Sequence, residues 1–246
     1  MKKFFVLLLF FIAGFCYGNE ADDIDELMVL FNEGNEEAIL TKAEKILSVE
    51  SCSNDAKYNV FSILNEFYYR KRDYILAWEN AMKMIDCDPY NGYGYFRAGD
   101  ILLILHNQVE ACEYLSKAIE LDPTQPNYHL ARGMAKYELF KRKFITNKKN
   151  IEKNELYYDE LLKIFDDFAE EMILDTEDYY PIYMGGLLLA FYIDENLPDY
   201  KELIQNGISL LNKAIRLNPN FINSYFVLAS VYGSQKCYDI EKCYQN

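Results

Sequence analysis

Proline, glycine, histidine and positive charge are all scarce in this chain of 246 residues. It has six prolines and eleven glycines, and no stretch alternates apolar and polar residues as a half-exposed strand would. These absences favour an all-helical fold. The chain carries 25 Lys and Arg against 39 Asp and Glu, a net charge of −14, which argues against a nucleic-acid-binding protein because such proteins need a basic face.

Groups suited to catalysis or metal binding are equally scarce. The only histidines are His106 and His129, and the sequence contains no Gly-x-Ser-x-Gly, phosphate-loop, His-Glu-x-x-His or Cys-x-x-Cys pattern. Asp166 and Asp167 are adjacent, so on a helix they point in different directions and cannot work as an acid/base pair. The sequence therefore predicts a non-catalytic protein without a metal or another cofactor.

What the sequence does contain is a repeated helical segment, seen in Ala111–Pro123 and again in Gly207–Pro219. In each copy, apolar residues recur at helical spacing and a proline ends the helix, because its ring disfavours helix at the residue before it. Small residues lie twelve and five positions before each proline. They are expected to let another helix approach closely.

The partner helix of each segment also repeats. Pro89 and Pro123 are 34 residues apart, and an aromatic, a small or polar residue and a second large residue precede each proline at the same offsets. These residues are Phe61, Asn65 and Tyr68 before Pro89, and Tyr95, Gly99 and Leu102 before Pro123. The pattern resembles the tetratricopeptide repeat (TPR), a family whose repeats are pairs of helices. Residues 58–91 and 92–125 match its period without a gap.

The resemblance covers nearly all of the chain after the leader and implies an all-α fold. That fold is a right-handed α-solenoid of stacked antiparallel helix pairs, with about five to six TPR units, one of which carries a long inserted hairpin. We expect one domain over residues 19–246. The approximate unit boundaries are 19–57, 58–91, 92–125, 126–178, 179–221 and 222–246. His129 falls in the aromatic position of its unit and is expected in the core.

Residues 1–18 have the pattern of a signal peptide. Lys2 and Lys3 form a positive start, and the apolar run Phe4–Phe15 is too short to span a bilayer, which needs about 20 residues. Small residues then precede a cleavage position ahead of Asn19. The sequence therefore predicts an exported protein, whether periplasmic, envelope-associated or secreted.

A lipoprotein signal is the alternative interpretation of the same leader. It would place a lipid on Cys16 and make the chain a lipid-anchored structural component of the cell envelope. The bulky Phe15 just before this cysteine departs from the lipoprotein pattern.

Export also permits disulfides. Cys52 precedes the first helix of a unit and Cys87 ends the second helix of the same unit, and antiparallel pairing brings these two ends together. A Cys52–Cys87 bridge is therefore predicted, with free thiols as the alternative.

The fourth unit contains an insertion of about 19 residues rich in positive charge. We interpret it as two elongated helices joined near Asn147–Asn150. It is either a solvated hairpin or a basic prong that docks an acidic partner or anionic lipid head groups. The prong residues are Lys141, Arg142, Lys143, Lys148 and Lys149. Membrane contact is expected only through this prong or a lipidated Cys16.

The remaining candidate site is a groove. In TPR proteins the first helices line a concave surface, and the resemblance implies a protein or peptide partner there. The exposed aromatic side chains would supply flat contact area, and asparagines would hydrogen-bond an extended backbone. Packing of some of these aromatics between helices is the alternative. The predicted groove residues are Asn59, Tyr69, Tyr93, Phe96, Arg97, Asn127, Leu130, Met134, Tyr137, Tyr183, Leu187, Asn223 and Phe226. The positions along these helices that are not used for packing also include Glu66 and Asp100.

Mass spectrometry of the mature amino terminus separates the two interpretations of the leader. Cleavage by a signal peptidase predicts a free amino-terminal Asn19. A chain that begins with a lipid-modified Cys16 would contradict this prediction and support the anchored alternative.

Overall fold

The structure is a computed structural model that describes residues 20–145, 155–193, 197 and 199–233. These residues form two compact units, which are described separately here as unit 1, up to Asn107, and unit 2, from Gln108. Most of the described residues are helical, and no strand occurs among them. Within the described ranges, no helix has the length and apolar character needed to cross a bilayer.

Unit 1 consists of five described helices joined by short turns. Because these turns hold only a few residues, neighbouring helices reverse direction, and α3 packs on both α2 and α4 while α4 also packs on α5. The helices are α1 (residues 20–33), α2 (Glu36–Leu47), α3 (Asn54–Arg70), α4 (Tyr74–Cys87) and α5 (Gly92–Ile104).

Unit 2 continues the same arrangement, with each described helix packed on the next. Two helices end in a π-helical turn: Lys141–Ile145 follows α7, and Leu188–Tyr192 follows α9. The helices are α6 (Gln108–Leu121), α7 (Pro126–Phe140), α8 (Glu155–Leu174), α9 (Tyr179–Leu187), α10 (Tyr200–Leu217) and α11 (Ile222–Tyr232).

The turns after the second helices share one hydrogen bond. At Asp88, Asp122 and Asn218, each just before a repeat proline, a side-chain oxygen accepts from the backbone N–H two residues later at 3.1, 3.1 and 3.2 Å. Asp175 makes the same contact at 3.0 Å without a proline. Such side chains favour turns because they mimic a backbone acceptor. The predicted helix ends before the prolines are confirmed.

A second contact also recurs with the repeat. The residue six positions after each repeat proline contacts the carbonyl oxygen of that proline. Tyr95 and Tyr225 donate their hydroxyls at 3.3 and 3.1 Å, and His129 Nε2 lies 3.3 Å from its proline. Since the His129 side chain is also buried, its predicted core position is confirmed.

In unit 1 the backbone itself repeats. Arg72 has a φ of 61° and His106 a φ of 60°, and these two residues are 34 positions apart. The next residues, Asp73 and Asn107, each donate their N–H to the carbonyl five residues earlier at 2.9 Å. This bond ends a helix with a left-handed residue and satisfies a free carbonyl. The 34-residue period is therefore present in the conformation as well as in the sequence.

Small residues set the spacing between α9 and α10 in unit 2. A Cβ atom on Gly207 would lie 2.5 Å from the backbone nitrogen of Ala190, and one on Gly186 would lie 2.8 Å from Leu211 Cγ and 3.0 Å from the Gly207 carbonyl oxygen. The two backbones are thus in direct contact. The small residues predicted to allow this approach are buried: Ala111, Ala118, Gly207 and Ala214.

Buried ion pairs tie α7 to α8. The Asp167 carboxylate is almost fully buried, and it accepts from Arg132 Nη2 at 2.7 Å and pairs with Lys136 Nζ at 2.8 Å. Asp166 is exposed, so the two neighbouring aspartates do point in different directions, as predicted. A buried carboxylate needs such partners, because an unpaired charge in the core is very costly.

Glu171 lies on the same helix as Asp167, but no cation among the described residues pairs with it. Its side chain is 1% exposed, and its Oε2 accepts from the Leu130 backbone N–H at 3.3 Å. Burial raises the pKa of Glu171 to about 7, and the nearby Asp178 and Asp175 add to this effect. The folded chain therefore holds this proton up to a higher pH than the unfolded chain does.

Gly207→Ala is predicted to destabilise unit 2. Alanine gains about 1 kcal/mol over glycine in a helix, but overpacking against the Ala190 backbone costs about 1–3 kcal/mol, so we expect a net loss of about 1 kcal/mol. Urea unfolding followed by circular dichroism measures the difference. Ser209→Ala, on the exposed face of α10, is the control and should be neutral or slightly stabilising. Unchanged or increased stability of Gly207→Ala would contradict the close contact.

Glu171→Gln is predicted to stabilise the chain at high pH. Because the folded-state pKa lies above the ordinary value of 4.5, the wild type loses stability as the pH rises from about 4.5 to about 7. The variant lacks this loss, so its advantage should grow from near zero at low pH to about 3 kcal/mol at about pH 8. Urea unfolding across this range checks it, with the exposed Glu170→Gln as control. Parallel pH profiles for Glu171→Gln and wild type would refute the assignment.

Candidate functional site

The first helices of the repeats in unit 1 carry the candidate site. Tyr93 and Phe96 lie on α5 with their ring centroids 6.1 Å apart, and Tyr93 is 39% exposed. We call the following residues the unit 1 face: Asn59, Glu66, Tyr69, Tyr93, Phe96 and Asp100. Asn59 is exposed, and its Nδ2 donates to the Asp55 carbonyl oxygen at 3.0 Å.

Arg97 on α5 lies at the centre of a cluster of contacts that includes residues of this face. Its Nε donates to Asn65 Oδ1 at 2.6 Å, its Nη2 donates to Glu66 Oε2 at 3.0 Å, and its guanidinium lies 4.6 Å from the Tyr69 ring centroid. Asn65 Nδ2 in turn donates to the Ala77 carbonyl oxygen at 2.8 Å. The cluster therefore links α3, α4 and α5. Arg97 itself is buried by these contacts, so it is not counted among the residues of the unit 1 face.

Asp100 completes the cluster. Tyr69 donates a hydrogen bond to its carboxylate, and burial raises the pKa of Asp100, whereas the Arg97 charge and the Tyr69 bond oppose this effect. Burial likewise raises the pKa of Tyr69, so its hydroxyl remains a donor. The contacts with Asp100 and Arg97 hold the Tyr69 ring in one orientation.

A groove of about 300 Å³ lies beside this face, between α1 and α3. Asn59 lines it and so belongs to both surfaces. Its other lining residues are Glu20, Ala21, Ile24, Asp25, Ser53, Asp55 and Ala56. A second groove of about 470 Å³ lies between α1 and α2, and Lys42 in its wall is already paired with Asp23 at 2.5 Å and with Glu26.

In unit 2, five predicted groove residues retain some exposure. Asn127 and Asn223 are exposed, and Phe226 on α11 is 71% exposed. Leu130 and Met134 are half-buried against the core of the unit, where Met134 Sδ accepts from the Tyr180 hydroxyl at 3.8 Å.

Three other predicted groove residues of unit 2 are buried. Tyr183 packs against the Phe221 ring at 4.9 Å between centroids, the Tyr137 and Tyr192 hydroxyls are hydrogen-bonded at 2.9 Å, and Leu187 lies in the same core. They pack within the unit and, like Arg97, are corrected here from groove residues to core residues. For Tyr137 and Tyr183, this is the alternative in which aromatic side chains pack between helices.

The basic segment after α7 is paired within unit 2. Lys141 bonds Glu138 and Lys143 bonds Glu160, both at 2.5 Å, and Arg142 Nη2 donates to Gln108 Oε1 at 2.6 Å. Lys148, Lys149 and the junction at Asn147–Asn150 lie outside the described residues, so docking by a prong stays a prediction.

Cys52 and Cys87 are free thiols in the structure, as is Cys112. Burial raises the pKa of both Cys52 and Cys87, and each thiol is close enough to Lys57 to interact with its charge. The Cys52–Cys87 bridge stays a prediction. Cys16, like the leader at residues 1–18, lies outside the described residues.

Among the described residues, no group of three or more His, Cys, Asp or Glu side chains could hold a metal ion. The buried His129 has its Nδ1 without a hydrogen-bond partner and its Nε2 3.3 Å from the Pro123 carbonyl oxygen.

The acidic character of unit 1 is the feature that sequence reasoning underrated. The predicted groove was aromatic and apolar with asparagines at intervals, whereas Glu66 and Asp100 contribute to the central cluster and Asp25 and Asp55 line the adjoining groove. A signal was available, because Glu66 and Asp100 are 34 residues apart and so occupy the same position of consecutive repeats.

Comparison with known proteins gives no match by sequence and several by structure. No protein-family model matches the chain, and no curated protein sequence matches it. The crystal structure of YrrB, described as a TPR protein with an unusual peptide-binding site, is similar with a TM-score of 0.59 and 21% identity over 84% of this chain and 90% of that one.

Two structures of MamA are similar as well. The crystal structure of MamA protein has a TM-score of 0.55 and 19% identity over 72% of this chain and 81% of that chain. The MamA RS-1 ArsTM double mutant has a TM-score of 0.59 and 14% identity over 81% and 94%. These neighbours are TPR proteins. Together with the 34-residue period of its own contacts, they show that this chain has the tetratricopeptide repeat fold.

Proposed function

We propose that this chain is a non-catalytic interaction scaffold that binds an extended segment of another protein on the unit 1 face. The observation that carries the proposal is the exposed Tyr93 ring beside Phe96, on the same helix as Arg97, whose contacts hold the Asn65, Glu66 and Tyr69 side chains. Aromatic side chains provide a large contact area at low entropic cost. Binding to a preorganised surface also loses less conformational freedom.

The polar groups of the face suit an extended peptide. Asn59 is exposed, and its Oδ1 is directed away from the bond that its Nδ2 makes with the Asp55 carbonyl. The Asn59 Oδ1 can accept a hydrogen bond from a peptide N–H. A bound segment needs such acceptors, because an N–H that leaves water without a partner is costly. Specificity then comes from the side chains that meet the aromatic pair.

The fold supports this function by analogy. YrrB is described as having a peptide-binding site and shares the fold of this chain. Because fold and function are separate properties, the analogy supports the class of partner, and the site rests on the residues described above. In unit 2, Phe226 and Asn223 provide a second exposed surface of similar chemistry.

We also place this activity outside the cytoplasm, in a periplasmic, envelope-associated or secreted protein. The support is the pattern of residues 1–18, with two lysines before a short apolar run.

Selection from a displayed library of random peptides, followed by affinity measurement with the full chain, tests the proposal. Replacing Tyr93 and Phe96 by alanine should weaken the selected peptides by at least about tenfold, as expected for central aromatic contacts. Tyr90→Ala is the matched control, because Tyr90 is 84% exposed but lies in the turn before α5 and not on the face.

Circular dichroism confirms that each variant is folded. A library that yields no binder, or binders that are equally weakened by Tyr90→Ala, would refute the assignment of the unit 1 face.

A further inference from the structure

The groove between α1 and α3 has an apolar floor. Ile24 on α1 packs against the core of unit 1, and Ala56 on α3 is buried, with Ala21 beside them. The groove volume of about 300 Å³ is large enough for one long side chain with part of its backbone. An aliphatic stem fits this volume and can lie on the apolar floor.

The walls of the groove carry carboxylates without a matching cation. Asp25 and Asp55 are exposed, and their carboxylates have no ion-pair or hydrogen-bond partner among the described residues. Glu20 adds a third carboxylate, held in place because its oxygens accept from Ser53 N at 2.9 Å and Ser53 Oγ at 2.6 Å. No lysine or arginine belongs to the described residues that line this groove.

On neighbouring surfaces of unit 1, by contrast, carboxylates form ion pairs with arginine or lysine. Glu66 pairs with both Arg97 and Arg70, at 3.0 and 2.8 Å. The groove between α1 and α2 contains Lys42 and Lys45, and Lys42 pairs with Asp23 and Glu26. Of the two grooves described in unit 1, the α1–α3 groove combines an apolar floor with carboxylates and has no lysine or arginine among its described lining residues.

We propose that the α1–α3 groove binds a lysine or arginine side chain of the same extended protein segment that occupies the unit 1 face. The inference rests on the proposed function and adds the chemistry of the partner. The aliphatic stem of the basic residue lies on Ile24 and Ala56, and its charged end lies between Asp25 and Asp55. Asn59 lines the groove and belongs to the face, so the chain continues from the groove towards Tyr93.

The partner is thus a segment in which a basic residue neighbours apolar residues. Because the pairing carboxylates are exposed, each ion pair contributes modestly and is screened by salt. The basic residue therefore adds selectivity and faster association to contacts made mainly by the aromatic pair.

Fluorescence anisotropy with two labelled peptides tests the inference. The probes are the amidated peptides (Lys-Leu-Ser)₄ and (Glu-Leu-Ser)₄, which share apolar content and length. The wild-type full chain should bind the lysine peptide at least about tenfold more tightly, and about 0.5 M NaCl should remove most of the difference.

Asp25→Asn with Asp55→Asn should weaken the lysine peptide by about three- to tenfold. The control is Glu79→Gln with Asp86→Asn, which makes the same change in net charge at exposed positions of α4. Equal weakening by both pairs would show that overall charge alone attracts the peptide and would overturn the inference.

Equal affinity for the two peptides, or no binding of either, would also overturn it. The library selection distinguishes this failure from failure of the proposed function. Selected binders that need Tyr93 but contain no basic residue would leave the function standing and remove only the proposed chemistry of the partner.

Discussion

Direct backbone contact between paired helices is the constraint on which the rest of the structure depends. In unit 2 it is made by Gly207 against Ala190 and by Gly186 against Leu211, where any added Cβ would meet backbone or a buried side chain. In unit 1 the corresponding small position of the repeat holds Asn65, which instead donates to the Ala77 carbonyl of the next helix. A hydrogen bond thus replaces close contact at that position. Both solutions fix the distance between helices, and buried side chains fill the remaining space at the density of a crystal.

Much of the fold could be predicted because its signals are local. A proline ends a helix by its own ring, and the Asp or Asn before it caps the turn with its own side chain, so Asp88, Asp122 and Asn218 fix the helix ends without help from the rest of the chain. The position of His129 followed from its register alone. It makes the contact that Tyr95 and Tyr225 make elsewhere, although its chemistry differs.

The candidate site was less predictable because burial depends on residues far away in sequence. Tyr183 has the repeat position of a groove residue, yet Phe221 covers its ring. Tyr137 is buried with Tyr192, which lies on the π-helical turn after α9. Arg97 was predicted to line the groove, but Asn65 replaces the usual small residue one repeat earlier and accepts from its Nε at 2.6 Å. The position of a residue in the repeat predicts which face of its helix it lies on. Which side chains cover that residue depends on tertiary packing, which the repeat pattern does not contain.

Charge is distributed unevenly within unit 1, and this has a consequence for recognition. Around Arg97 the carboxylates of Glu66 and Asp100 are balanced and partly buried, and the raised pKa of Asp100 reflects the cost of desolvating its charge. A ligand near Tyr93 therefore meets a surface with little net charge, where contact area decides affinity. A ligand near Asp25 meets uncompensated charge in water, where attraction acts at longer range but is weaker at contact. A segment bound as proposed would place its basic residue near Asp25 and its apolar residues near Tyr93.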